Sequence, residues 1–170
     1  MQESEEKGKG FYLVNKLEDS SEPDDRHLSY TPEDQAHLGL LFLVLSVIYM
    51  NNGQAKQDAL FLFLEKLGLY DRENDKKEVP LFGNVKTLIE KEWGQKQHYI
   101  KVDKDDSAEP DTPANLYSWG ERAELELKKS DVLKYVAKIY DKKVRDFSEQ
   151  FNKIRAVEGE DVFEDFDECN

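Results

Sequence analysis

Cysteine is almost absent from this chain: the single one is Cys169. One cysteine makes no internal disulfide, which removes the disulfide-framed secreted classes and fits a reducing compartment. Histidine is nearly as scarce. His27, His37 and His98 lie far apart, and none has a cysteine or second histidine at metal-ligand spacing. His27 and His37 are expected on solvated surface, and His98 at a half-buried strand position. Long apolar runs are missing too. Leu40 to Met50, broken only by Ser46, spans 11 residues, short of the ~20 a membrane span needs. The opening Met1-Gln2-Glu3-Ser4-Glu5-Glu6 carries no signal-like pattern. The expectation is a soluble, intracellular protein.

Phosphate chemistry has no foothold either. Gly8-Lys9-Gly10 is not followed by a helix and Gly53 stands alone. Ser46 sits among leucines and valines without a base nearby in sequence, and the Asp105-Asp106 pair falls on a solvated tip where nothing would raise a carboxyl pKa. Cys169 lies among acids that disfavour a thiolate. No catalytic, cofactor-binding or metal-binding residue is therefore assigned, no cofactor is expected, and the reading is of a non-enzyme without a small-molecule substrate.

What is present is charge, unevenly spread. The net charge is -13. Residues 1–37 carry -6 of it and residues 156–170 carry -7, while residues 38–155 balance 20 acids against 20 bases. The acidic ends leave room for a local basic face on the middle segment.

The order of elements is equally legible. Residues 1–10 are polar and expected to be disordered. Phe11 to Leu17 reads as a strand with no mate nearby, followed by an acidic loop. Thr31-Pro32-Glu33-Asp34 is a strong helix start: a capping threonine, proline at the first position and acids at the positive end of the dipole. The helix it opens is apolar nearly all round from Leu40, as a central buried helix must be. A second helix is predicted over about 55–67, ended by Gly68, and a third over 84–95 with Val85, Leu88, Ile89 and Trp93 inward and Lys86, Glu90, Lys91 and Glu92 outward. His98 to Val102 and Leu116 to Trp119 form a hairpin with a long acidic tip between them. Glu121 to Lys143 is helical, with a break near Lys129 where Ser130 is placed to cap a second segment. Helix, helix, helix, two strands, helix outlines a winged helix: mainly α with a small antiparallel β-hairpin.

Three surfaces are candidates for contact. The third helix offers Lys86 and Lys91, with Lys96 just beyond, as DNA contacts; the acids beside them and on the wing favour a merely solvated surface. The basic residues from Lys128 to Arg145 read first as the outer face of an amphipathic helix. Phe61-Leu62-Phe63-Leu64 is a run that one helix cannot fully bury alone. Either the N-terminal strand or the C-terminal segment covers it, or some of it lines a groove for another protein's helix. Partner binding is assigned to Leu60, Phe61, Phe63, Leu64, Val132, Tyr135 and Tyr140.

Several stretches together resemble the MAGE homology domain: residues 39–48, Leu64 to Tyr70, Leu81-Phe82-Gly83, Leu88-Ile89, Trp93 to Gln97, Tyr99, Tyr117 to Ala123, and Val132 to Lys138. The likeness covers about residues 36–140 in order. It implies two tandem winged helices, of which residues 31–145 would be the second with its C-terminal helix. Residues 11–30 would be the remnant strand and loop of a largely missing first unit, and residues 146–170 an acidic, mostly disordered tail. The chain is expected to be a fragment or shortened isoform. Within the family it is most similar to the ancestral MAGE-type non-SMC element (element three) of the Smc five–six complex. That likeness implies a non-enzymatic adaptor in the nucleus, and possible residence in the cytoplasm, which binds a kleisin and, through the full domain, a RING-type ubiquitin ligase in support of DNA repair and ubiquitination. Residues that grip the ligase would lie in the missing unit. The alternative is a winged helix bound to double-stranded DNA; no membrane partner is expected.

Overall fold

A computed structural model describes residues 31–105 and 114–159. The strand expected over Phe11–Leu17, the start expected to be disordered, the acidic stretch after Gly159 and most of the hairpin tip lie outside these residues.

Helix α1 (Pro32–Met50) begins at the predicted cap. The Asp34 amide donates to Thr31 Oγ1 at 3.1 Å, and the Thr31 amide donates to Asp34 Oδ2 at 3.0 Å. Two otherwise unpaired helix-end donors are thereby satisfied reciprocally. The helix is 19 residues long and apolar enough by composition alone to cross a membrane. Here it is the axis of the core: Val44, Leu45 and Ile48 are fully buried.

After a turn at Asn51–Gly53 comes a strand that the sequence reading assigned to the following helix. Strand β1 (Gln54–Lys56) pairs antiparallel with β3 (Asn115–Trp119), Ala55 opposite Tyr117. Helix α2 (Gln57–Lys66) then packs Leu60, Phe61 and Leu64 inward. Helix α3 (Val85–Thr87) runs on into a π-helical segment (Leu88–Lys96) with Ile89 and Trp93 buried. Strand β2 (Ile100–Lys104) returns to β3, Val102 opposite Tyr117. The expected hairpin is thus the larger part of a three-stranded sheet ordered β1-β3-β2. With the helices it makes the winged helix that the element order predicted.

Gly120 is fixed by space. A Cβ built there would lie 2.1 Å from the His98 carbonyl oxygen, and the Gly120 amide donates to Tyr99 O at 2.8 Å. The chain leaves β3 through a gap that admits no side chain, which explains the abrupt Trp-Gly-Glu step from strand to helix.

Helix α4 (Glu121–Glu126) and helix α5 (Lys129–Tyr140) are separated by Leu127 and Lys128. The predicted break is real, but Ser130 does not cap it. Lys128 is the cap residue and makes no side-chain cap bond. Ser130 lies inside the first turn, buried, its Oγ without a hydrogen-bond partner. A 3-10 turn (Val144–Asp146) leads into helix α6 (Ser148–Glu158). The expectation of a mostly disordered stretch from residue 146 is corrected here. α6 anchors through Ile154, fully in the core, with Phe151 packed against it.

Candidate partner-binding surfaces

Most of the residues assigned to partner binding are core. Leu60, Leu64 and Val132 have no exposed surface and Phe61 is 3% exposed. Phe61 is enclosed by rings, with Tyr70 at 4.6 Å and Tyr117 at 5.9 Å between centroids. The sheet and the loop after α2 supply the cover that the helix lacks on its own. Phe63 is half-buried against the same core. Only Tyr135, at 37%, and Tyr140, at 64%, stand out into solvent.

Tyr135 belongs to a wider apolar face. Its ring meets Phe42 of α1 edge-on, centroids 4.8 Å apart. At the other end of α5, Lys129 Nζ sits 5.6 Å over the Trp119 ring, whose indole N–H donates to Leu45 O at 2.9 Å. α5 therefore runs antiparallel to α1. One turn further along each helix, Ile139 and Leu38 extend the same seam, 56% and 46% exposed. Leu38, Phe42, Tyr135 and Ile139 form a surface of the kind that receives an apolar helix. Leu38 and Ile139 are read from the sequence as members of apolar helix faces and not as partner contacts, because their spacing marks a face and not what covers it.

A second concavity lies at the far end of α1. A cleft of about 250 Å³ opens between α1, the start of α5 and α6. Tyr49, Trp119 and Ile154 line it, with Lys129, Lys153 and Val157 at its edge. Lys129 pairs with Glu124 at 2.8 Å, and Lys153 with Glu149 at 2.8 Å and Asn52 Oδ1 at 3.0 Å. Burial pushes the Tyr49 hydroxyl up to about 12, with Glu158 adding to the shift.

The three lysines named as DNA contacts do not share one environment. Lys86 is held 2.9 Å from Asp75, which also accepts a hydrogen bond from the Tyr70 hydroxyl. Lys96 pairs with Glu92 at 2.6 Å, and Lys91 is exposed. Those hydrogen bonds, Lys86 first, lower the Asp75 pKa. Glu90, expected on the outer surface, turns inward and accepts from the Tyr117 hydroxyl at 2.7 Å. Burial, and then that bond, raise the Tyr117 pKa. His37, expected on solvated surface, is half-buried: it stacks on Phe82, and its Nε2–H donates to Leu81 O at 2.7 Å. Among the described residues no three His, Cys, Asp or Glu converge as metal ligands would.

Known proteins resemble this chain. The MAGE homology domain profile matches residues 1–130. The human melanoma-associated antigen F1 is 31% identical over 150 residues, covering 88% of this chain and 46% of that protein. The human non-structural maintenance of chromosomes element 3 homolog is 32% identical over 157 residues, covering 92% of this chain and 48% of that protein. The chain thus spans less than half of either relative. A chain of a solved Nse1-Nse3-Nse4 complex superposes with a TM-score of 0.69 at 29% identity, covering 84% of this chain and 63% of that one. The profile match, taken with a winged helix whose strand-to-helix step turns on Trp119-Gly120, establishes that this chain belongs to the MAGE homology domain family.

Proposed function

We propose that the chain is a non-enzymatic adaptor of the Nse3 type, working beside a RING-type ubiquitin ligase subunit and a kleisin in nuclear DNA repair. The observation that carries this reading is the likeness, over most of the chain, to a component of an Nse1-Nse3-Nse4 assembly. The apolar seam of Leu38, Phe42, Tyr135 and Ile139 supports it, because an exposed apolar seam between two helices suits a partner helix. In this reading the kleisin binds the seam, and the ligase is reached through the rest of a full-length MAGE domain. The DNA-binding alternative has less support, since two of its three lysines already hold carboxylates.

The test is co-expression with a RING subunit and a kleisin, followed by affinity purification through this chain. The kleisin is expected to co-purify and to stay bound in high salt, as an apolar contact would. Recovery of neither protein overturns the reading. DNA binding that weakens steeply with salt, and is lost in Lys86→Glu with Lys91→Glu, would favour the alternative.

A further inference from the structure

The two borders of the α1–α5 seam are unlike. On the α5 side a row of bases runs beside the apolar row. Lys134 and Lys138 stand four residues apart, as do Tyr135 and Ile139, so each pair lies one turn apart on its own line and the two lines are neighbours. Lys142 follows just past the helix end. From Lys134 to Arg145 the chain carries five bases and one acid, in a protein whose net charge is -13. Lys138 and Lys142 are exposed and pair with no carboxylate among the described residues; Lys142 Nζ lies 6.0 Å over the Phe147 ring. Three of the nearby acids are engaged. Asp131 meets Lys134 at 4.0 Å, Asp146 accepts from the Lys143 amide at 3.1 Å, and Asp34, at the start of α1, accepts from Thr31 at 3.0 Å. Asp141 stays exposed at the end of α5.

The α1 side carries no such charge. From Gln35 to Met50 the helix has no Asp, Glu, Lys or Arg. Next to Leu38 comes Gly39, exposed, with nothing within 4 Å of the place a Cβ would take. A glycine inside a helix weakens it, and here neither crowding nor a left-handed backbone calls for one. What the missing side chain does provide is a low, uncharged border over which another backbone can pass closely.

We infer that the seam takes an amphipathic partner helix whose apolar stripe is bordered by acidic residues on one side only. This rests on the adaptor reading above and adds the chemistry and the roll of the helix that reading invokes. The apolar stripe covers Leu38, Phe42, Tyr135 and Ile139. The acids face Lys138 and Lys142, and the uncharged border crosses Gly39 at close range. A helix rolled the other way would leave its acids over a wall with no base, and a basic helix would be repelled by α5, so charge selects the partner and its orientation.

The test is calorimetry of the full chain with the kleisin, in low and in high salt. Lys138→Glu with Lys142→Glu is expected to weaken binding about tenfold in low salt and much less in high salt, where screening levels the difference. Gly39→Gln puts a longer side chain into open space on a helix that it suits. The urea midpoint should therefore hold or rise, while affinity falls about tenfold in both salts because the close crossing is blocked. Unchanged affinity in either variant overturns the inference. Tyr135→Ala with Ile139→Ala keeps that failure apart from failure of the adaptor reading. Where this variant alone binds weakly, the seam is the contact and the acid-bordered helix is wrong. Where the parent chain binds no kleisin, the adaptor reading falls and the inference with it. Lysine reversal that abolishes binding to double-stranded DNA, yet leaves kleisin affinity unchanged, assigns the basic border to nucleic acid and also overturns the inference.

Discussion

Helices α2 and α5 look alike in composition and do opposite things. α2 carries Leu60-Phe61-Leu62-Phe63-Leu64, the densest apolar run after α1, and hides most of it. α5 alternates apolar and basic residues as an ordinary amphipathic helix does, yet leaves Tyr135, Ile139 and Tyr140 in solvent. Apolar density along a helix says how much surface needs cover. What supplies the cover is decided elsewhere in the chain. α2 is enclosed by Tyr70 from its own following loop and by Tyr117 from β3. α5 meets α1 through Tyr135 against Phe42 and buries Val132, Leu133, Val136 and Ala137 in the core, while Ile139 and Tyr140 in its last turn stay outside it. The surface left over is the one a partner can use.

The contrast breaks most visibly under truncation. Leu64→Ala removes a fully buried side chain of α2 and should lower the unfolding free energy by about 2–5 kcal/mol. Ile139→Ala on the exposed face of α5 should stay within about 0.5 kcal/mol. Urea denaturation of both variants measures the difference, and similar losses would erase the distinction between the two helices. Gly120→Ala comes next. Its new methyl would press on the His98–Tyr99 backbone and should cost about 1–3 kcal/mol by overpacking, again read from the urea midpoint; an unchanged midpoint would mean that the strand end yields easily.

The smallest effect concerns the cover over α2. Burial, then the hydrogen bond to Asp75, push the Tyr70 hydroxyl from 10.0 up to about 12. A raised pKa means that the folded chain holds this proton more tightly than the unfolded one. The contribution is complete below pH 10.0 and is lost as pH rises through about 12. Tyr70→Phe should therefore reduce the fall in stability across that alkaline window. Some fall should remain, because Tyr49 and Tyr117 are also raised by burial. Denaturation midpoints compared between neutral pH and the window give the test, and an identical fall in both proteins would contradict it.

Much of the fold was legible because its signals are local. The Thr31–Asp34 cap, the inward set Val85, Leu88, Ile89 and Trp93, and the Trp119-Gly120 step each sit within a few residues of what they control. What was missed is non-local. Gln54-Ala55-Lys56 buries one small side chain, and only its pairing with Leu116–Ser118 makes it a strand. α6 has a weak pattern because it touches the core through little more than Ile154 and Phe151. Ser130 looked like a cap because its residue type suits one, but the cap falls two positions earlier. The exposure of the residues assigned to partner binding was only partly legible. Tyr135 and Tyr140 are exposed, whereas Leu60, Phe61, Leu64 and Val132 were named for an apolar character that serves the core.

Affinity for the kleisin, measured by calorimetry on the full chain and on Tyr135→Ala with Ile139→Ala, tests the adaptor reading most directly. The reading predicts a loss of tenfold or more, about 1.4 kcal/mol or above, in a double variant that still shows a cooperative urea transition. Undiminished affinity in a folded double variant would contradict the assignment of the α1–α5 seam as the partner surface.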